Sequence, residues 1–250
     1  MTSATNQWPT NATCLAPEHL EPSQIAEEVY VRVCRTDFSQ PGFCVVNLGR
    51  NLESTRFRQR MVELKCELAK IHERRFSQTL VFLSAARFDQ QNSTKPHLDG
   101  GPDESLLMLG YEPSQIQAEL DFADYTRCAR DLGIGPKEFM EQHNPMFRAG
   151  FDRLRAYSYA LQCFDPSVFQ IVFVNNSSAS VDGMSWLGVL HTATIINPDE
   201  SKRRIINSTM IAPAPMGSSD AISTEDLKNF AQSSSVRRRG YDKTHIEDEI

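Results

Sequence analysis

The sequence predicts one mainly β domain flanked by helices, and three observations lead to this prediction. Several short apolar segments, rich in β-branched and aromatic residues, are bounded by turn signals, as strands usually are. One long segment, residues 53–75, instead repeats its apolar residues at helical spacing. At 250 residues the chain can build a substantial core, and β-barrel-type folds of this length are commonly one domain.

The composition is that of an ordinary soluble globular protein, with 40% apolar and 23% charged residues. A formal net charge of −6 argues against binding nucleic acid. No apolar run approaches the roughly 20 residues needed to cross a bilayer, and the N-terminal segment lacks the apolar core of a secretory signal. We therefore expect a cytoplasmic protein that has neither nucleic acid nor a membrane as partner. The sequence leaves the oligomeric state open.

The cysteines indicate no metal framework. None of them forms a CxxC pair, and their spacings match no zinc site. In a cytoplasmic protein we expect all six to be free thiols that are mostly buried, namely Cys14, Cys34, Cys44, Cys66, Cys128 and Cys163.

In the first part of the chain, residues 1–24 have the composition of a loosely ordered arm, and the domain is expected to span residues 25–216. Residues 25–33 fit either a short helix or a strand, and residues 42–48 read as a buried strand. The long helix over residues 53–75 carries one apolar stripe at alternating spacings of four and three: Phe57, Met61, Leu64, Leu68 and Ile71.

The second half alternates strands with a helical insert. Strands are predicted for residues 79–85, 106–110, 169–174, 184–193 and 204–212. Ser114 and Gln117 have the spacing of a capping box. Pro136, after Gly135, and Pro145, after Asn144, are typical of helix starts. The sequence thus predicts a helical insert at about residues 114–162.

From Gly217 onward the chain is rich in serine and charge, which predicts a polar tail, solvent-exposed or disordered, over residues 217–250. Two prolines, Pro213 and Pro215, are expected to end the last core strand, and truncation after about residue 220 should then leave folding intact. A second interpretation stays open. Leu227 and Phe230 would share the apolar face of a short helix, and the arginines at 237–239 could dock over a site or onto a second subunit.

The most informative motif is His97-Leu98-Asp99. On an extended backbone the first and third side chains point the same way, and an imidazole with a carboxylate suits Fe(II) or another divalent first-row metal. His191, in a later apolar run, is a candidate third ligand. Taken singly, the aspartate fits a turn and His191 fits a hydrogen-bonded core histidine. Their order along the chain, between predicted strands, is what favours a metal site.

Two arginines follow, Arg203 and Arg204, and a guanidinium offers parallel donors to a carboxylate. With them the motifs resemble the Fe(II)/2-oxoglutarate-dependent dioxygenase superfamily, in particular its taurine dioxygenase and phytanoyl-CoA hydroxylase branches. The resemblance rests on His97-Leu98-Asp99 and on His191 followed by Arg203-Arg204-Ile205, and it covers about residues 80–212. It implies a double-stranded β-helix (jelly-roll, cupin-like) core in which the two motifs meet at the mouth of the barrel.

The resemblance also implies roles for these residues. His97, Asp99 and His191 would hold Fe(II), and Arg204 would bind the far carboxylate of the co-substrate 2-oxoglutarate. Arg203 would face the other way, because neighbours in a strand point to opposite sides. With dioxygen, such an enzyme would hydroxylate or otherwise oxidise a small or medium organic substrate. We leave open which nearby hydroxyl or amide assists Arg204: Thr192, Thr194, Asn207 or Ser208.

Two other classes of protein fit part of the pattern. A cupin-type metal-dependent dioxygenase that does not use 2-oxoglutarate would have the same three ligands but would not need Arg204 in its cavity. A non-catalytic binding protein on the same barrel would not need all three ligands.

Overall fold

The structure is a computed structural model, and it describes residues 8–16, 20–178 and 185–241. Parts of the predicted arm and tail, and Met184 at the start of one predicted strand, lie outside the described residues. The strands are β1 (Cys14–Leu15), β2 (Phe43–Asn47), β3 (Gln78–Gln91), β4 (Leu106–Tyr111), β5 (Ala118–Ala123), β6 (Ser158–Ala160), β7 (Gln170–Asn175), β8 (Leu190–Ile195), β9 (Ile205–Pro215) and β10 (Arg237–Tyr241). The helices are α1 (Thr10–Thr13), α2 (Pro22–Val33), α3 (Ser54–Phe76), α4 (Tyr125–Leu132), α5 (Pro136–Gln142), α6 (Arg148–Leu154) and α7 (Thr224–Gln232).

The strands form two sheets. The large sheet has the order β1-β2-β7-β4-β9-β3-β10, and the small sheet has the order β6-β5-β8. Pairing is antiparallel throughout, except that β1 and β10 join the two edges of the large sheet in parallel. The chain is therefore a mixed α and β protein built around a large, mostly antiparallel sheet. This agrees with the predicted β-rich domain and its flanking helices.

Helices cover one face of the large sheet. The open choice for residues 25–33 resolves as helix α2, and α3 matches the predicted long helix closely. Every residue of the predicted α3 stripe is buried, in one core cluster with Ile171 and Phe173 of β7 and Val29 of α2. Spacing by four and three thus identified the face that packs on the sheet. None of the helices in the described part of the chain has the length and apolar character needed to span a bilayer.

The small sheet covers the other face. Phe43 of β2 stacks on Phe122 of β5, with ring centroids 4.0 Å apart. Leu120 and Tyr159 of the small sheet share the same cluster with Val172 and other residues of the large sheet. The second core therefore lies between the sheets, and β8, the strand that carries His191, belongs to the small one.

The predicted helical insert is only partly helical. Residues 118–123 alternate in burial and form β5, which pairs along β8, and residues 158–160 form β6. The expected capping box does not form. The Ser114 hydroxyl instead accepts from the Ile116 N–H in a turn, and α4 begins later, where the Asp124 carboxylate accepts from the Arg127 N–H. Cross-strand pairing to β8 therefore overrides a local helix signal.

The predicted polar tail, as far as the structure describes it, is mostly exposed, but it contains helix α7 and strand β10. Helix α7 is capped by Ser223, and its Phe230 is buried in the same core as α3. The buried guanidinium of Arg58 donates to the carbonyls of Phe230 and Ser233, at 2.6 and 2.8 Å. Strand β10 then pairs with β3. Three apolar side chains, the buried Phe230 and the partly buried Ile222 and Leu227, pack on the core, and Arg58 adds hydrogen bonds. A segment of polar average composition is therefore docked on the domain, as in the interpretation that was left open.

The last core strand ends at Pro215, the second of the two prolines, and so extends beyond the predicted end at residue 212. Strand β9 continues through Pro213 and Pro215, which pair with Leu80 and Gln78 of β3. Pairing of β9 with β4 stops at Ile211. Beyond that residue one side of β9 has no strand partner among the described residues, so prolines are tolerated there as they are at an edge.

The expectation of six free thiols is wrong for two cysteines. Cys14 and Cys163 form a disulfide with a Cα–Cα distance of 6.5 Å, and 149 residues separate them in sequence. The other cysteines are free, with Cys66 exposed and the remaining three buried. The spacing of the cysteines in the sequence does not predict this disulfide. Cys14 is placed in the fold by the pairing of β1 with β2, which the sequence analysis did not predict.

Candidate metal centre

His97 and His191 are brought together by a β-bridge. His191 lies on β8, and His97 lies in the loop after β3 and pairs with it in an isolated antiparallel bridge. Each backbone N–H donates to the carbonyl of the other residue at 3.2 Å. The ring centroids are 4.3 Å apart. A loop and a strand separated by almost a hundred residues thus present two imidazoles side by side.

Asp99 completes a three-residue cluster. One of its carboxylate oxygens lies 3.5 Å from Nε2 of His97. The candidate ligand atoms of His97, Asp99 and His191 all lie within 4.8 Å of one another. Ligands about 2.1 Å from one ion are separated by about 3–4 Å, so small side-chain rotations would close the cluster on a metal.

The backbone of Asp99 is fixed by Asn176, a residue that the sequence analysis missed. The side-chain oxygen of Asn176 accepts from the Asp99 N–H, and its side-chain NH2 donates to the Asp99 carbonyl, both at 2.9 Å. The same NH2 also donates to the Ser105 hydroxyl. Asn176 is 2% exposed. It follows β7 with no recognisable motif, so only the folded chain reveals that it orients a candidate ligand.

Hydrogen bonding directs one ring nitrogen of His97 toward the cluster. Nδ1 lies 2.7 Å from the Lys95 carbonyl. A carbonyl can only accept, so Nδ1 carries the proton and the lone pair of Nε2 faces Asp99. The Nε2 lone pair and the Asp99 carboxylate repel each other, so either a proton on Nε2 or a metal cation must lie between them. The pKa of His97 is raised, chiefly by Asp99. That of Asp99 is lowered, chiefly by His97. A divalent metal would serve the same purpose as the proton.

His191 is neutral at pH 7, because burial and then the neighbouring His97 lower its pKa to about 4. Its Nδ1 is buried and has no hydrogen-bond partner among the described residues. A neutral imidazole is the form that binds metals, and an orphaned ring nitrogen is an atom that a ligand would satisfy. The donor set of two imidazoles and one carboxylate therefore fits a divalent first-row metal.

The cluster opens into a cavity of about 120 Å³. Its wall comes from β3, β4, β8, β9, β10 and the loop that carries His97. The lining residues are Phe88, Gln90, Asn92, Thr94, His97, Asp99, Leu109, Tyr111, His191, Ala193, Arg204, Ile206, Ser208 and Arg239.

Arg204 and Arg203 face different ways. Arg204 is 4% exposed and lines the cavity, whereas Arg203 is exposed and lies outside it. The guanidinium carbon of Arg204 sits 5.1 Å from the centroid of the Tyr111 ring, and its Nη1 donates to the Gln90 carbonyl at 3.3 Å. Its Nη2 is buried without a partner among the described residues. A buried guanidinium with an unused donor is able to bind an acceptor such as a carboxylate.

Of the four residues considered as helpers of Arg204, Ser208 lines the cavity. Asn207, its neighbour on β9, turns away and donates to Gly110 and Glu112. Thr192 and Thr194 line a separate cavity. Strand parity explains this division, since alternate side chains of a strand face opposite sides.

Arg239 also lines the cavity, although the sequence analysis did not assign it a role there. It lies on β10, and its guanidinium carbon is 3.6 Å from the centroid of the Phe88 ring. The sequence analysis left open that the arginines at 237–239 dock over a site, and the structure brings Arg239 to the cavity through the pairing of β10 with β3, which no local pattern specifies.

Comparison with protein-family models and with curated proteins gives no match. Among solved structures, the iron and alpha-ketoglutarate-dependent endoperoxidase NvfI is similar, with a TM-score of 0.38 and 12% identity over 68% of this chain and 76% of that chain. The Kdo hydroxylase KdoO, a non-heme Fe(II) alphaketoglutarate dependent dioxygenase, has a TM-score of 0.43 and 10% identity over 90% of this chain and 98% of that chain.

Proposed function

We propose that the chain is a non-haem Fe(II)- and 2-oxoglutarate-dependent oxygenase that hydroxylates or otherwise oxidises a small or medium organic substrate. The observation that supports this most strongly is the composition of one cavity. It holds two imidazoles and a carboxylate, from His97, His191 and Asp99, together with the buried guanidinium of Arg204. We also propose that the two sheets form a double-stranded β-helix with this cavity at its mouth.

In this proposal His97, Asp99 and His191 hold Fe(II) on one face and leave the other positions for ligands. The bound metal would supply the activation of dioxygen, with 2-oxoglutarate as the co-substrate that is oxidised. The chain contributes rigid placement of the three ligands. Asn176 fixes the backbone of Asp99, and the bridge between His97 and His191 fixes both histidines. Such support of the ligands by outer residues commonly tunes metal affinity.

Arg204 would orient 2-oxoglutarate by binding the carboxylate far from the metal. Its free Nη2 and the hydroxyl of Ser208 face the same cavity. The buried Leu109 and the half-buried Ile206 add apolar lining to the same cavity, and a less polar surrounding strengthens a charge-assisted contact. A guanidinium that is buried without a full set of partners destabilises the folded protein, which is understandable if an anionic ligand completes its interactions.

The burial of Arg204 separates this proposal from a cupin-type dioxygenase that does not use 2-oxoglutarate, because that enzyme would have no use for the arginine. The deciding experiment measures bound iron and the conversion of 2-oxoglutarate to succinate in wild type and in three variants. We expect Asp99→Ala to lose iron and turnover together. Arg204→Ala should keep its iron and lose turnover.

The matched control is Asp103→Ala, which removes an exposed carboxylate that pairs with Lys137 on the surface. It should behave as wild type. Iron content that survives in Asp99→Ala would refute the role of Asp99. A wild-type protein that binds iron but neither binds nor converts 2-oxoglutarate would favour the cupin-type alternative.

A further inference from the structure

The cavity contains two cations at different depths. Arg204 is buried, whereas Arg239 is exposed while still lining the same cavity. The inner arginine already has a role in the proposed function. The outer arginine has none, although it lies on β10, which pairs with β3 at the edge of the large sheet.

The position of Arg239 is set by the fold. Strand β10 pairs in parallel with β3, with Arg237 opposite Phe88. The preceding helix α7 is anchored by Phe230 and by the bonds that Arg58 donates. The Arg239 guanidinium rests against the Phe88 ring at 3.6 Å. A cation–π contact of this kind restricts the side chain and consumes none of its N–H donors.

The charge of the cavity favours anions. Its lining holds two guanidinium groups and one carboxylate, that of Asp99, so it carries a net positive charge in a chain whose formal charge is −6. A divalent metal and the doubly charged 2-oxoglutarate would cancel each other. One positive charge would remain after both had bound, and it would be the charge of Arg239, since Arg204 would be paired with the co-substrate.

We infer that Arg239 is the substrate-binding cation of this enzyme and that its substrate is an organic acid, with a carboxylate, sulfonate or phosphate that the guanidinium binds at the exposed side of the cavity. This inference rests on the proposed function and goes further by naming the substrate class. A planar guanidinium pairs with such oxyanions through two parallel hydrogen bonds. The oxidised carbon would lie on the part of the acid that extends from Arg239 toward His97 and His191.

The test compares acids with their uncharged amides. Benzoate with benzamide and hexanoate with hexanamide are titrated calorimetrically into the full chain loaded with Mn(II) and saturating 2-oxoglutarate, so that Arg204 is occupied. Wild type should bind each acid at least about tenfold more tightly than its amide, as expected for one charge-assisted contact. Arg239→Gln should lose this preference, and Arg239→Lys should restore part of it.

The matched control is Arg237→Gln, which removes an exposed arginine of the same strand that does not line the cavity. It should keep both the preference for acids and the wild-type affinity for 2-oxoglutarate. Equal binding of acid and amide by wild type, or a preference that persists in Arg239→Gln, would overturn the inference.

A failure of the proposed function would look different, since Mn(II)-loaded wild type would then not bind 2-oxoglutarate at all. In that case the same acid and amide pairs are titrated into Arg204→Met without metal, where Arg239 is the remaining cavity cation. A preference for acids that disappears in Arg204→Met/Arg239→Gln would support Arg239 as the anion-binding residue on its own. The absence of any preference would overturn it.

Discussion

Replacing Arg204 with methionine should shift two free energies in opposite directions. The guanidinium is 4% exposed, donates one side-chain bond to Gln90 at 3.3 Å, and leaves Nη2 without a partner among the described residues. A buried unsatisfied donor costs about 1–3 kcal/mol, and a typical hydrogen bond contributes about 1 kcal/mol. Methionine fills similar space without the polar cost. The free energy of unfolding without ligand should therefore stay unchanged or rise by about 0–2 kcal/mol.

The binding of 2-oxoglutarate should respond in the opposite sense. Loss of the charge-assisted partner of a buried carboxylate costs about 2–5 kcal/mol, which weakens affinity by about 30-fold to several thousandfold. At a concentration of about 100 times the wild-type Kd, 2-oxoglutarate stabilises wild type by about 2.7 kcal/mol. A hundredfold weaker Kd would reduce this stabilisation to about 0.4 kcal/mol.

Both quantities follow from denaturant unfolding of the Mn(II)-loaded protein with and without 2-oxoglutarate. Arg203→Met is the matched control, because that arginine is exposed and lies outside the cavity. It should leave both free energies near wild type. An equal loss of ligand stabilisation in the two variants would refute our assignment of which side chain enters the cavity. A drop of several kcal/mol for ligand-free Arg204→Met would show that the guanidinium supports the fold rather than the ligand.

Three further predictions follow from contacts outside the proposed ligand set. Asn176→Ala removes both side-chain hydrogen bonds to the backbone of Asp99, so metal affinity should fall about 10–100-fold in a metal titration; unchanged affinity would mean that the loop is held by other contacts. Cys14→Ser/Cys163→Ser should cost about 2–5 kcal/mol of unfolding free energy, and unlike wild type the variant should show no further loss under reductant. Burial lowers the pKa of His72 below its ordinary 6.5. Its contribution to the free energy of unfolding is therefore fully present above pH 6.5 and is lost as the pH falls through the lower folded-state pKa. The free energy of unfolding should decrease from pH 7.5 to 5.5, and this decrease should be smaller in His72→Gln.

Periodic signals carried most of the fold prediction. The stripe that begins at Phe57 and Met61 located α3 almost to the residue, because an amphipathic helix records its buried face in its own sequence. The strand that carries His191 was identified from its run of apolar residues, although the structure shifts its ends by several residues. What the sequence could not give was pairing. Strand β5 was assigned to a helix because the Ser114 signal is local, whereas its partner β8 lies some seventy residues away.

The candidate site shows the same division. The structure brings His97, Asp99, His191 and Arg204, which short motifs singled out, to one cavity. Their ligand roles stay a prediction. Asn176 escaped notice because its contact with Asp99 joins two parts of the chain that are 77 residues apart. Arg239 was left as an open alternative because no local pattern specifies the pairing of β10 with β3.

The edge position of β10 has a consequence for how the cavity exchanges its contents. Strand β10 is last in the order of the large sheet and pairs with β3 alone, with a register shift after Arg238. Edge strands detach at a lower free energy than central strands and show faster amide hydrogen exchange. His97 and His191 are held by a separate bridge to the small sheet. We therefore expect local unfolding to open the wall formed by β10 more readily than the wall that carries His97 and His191, so that a molecule could enter or leave while the candidate ligands stay in place.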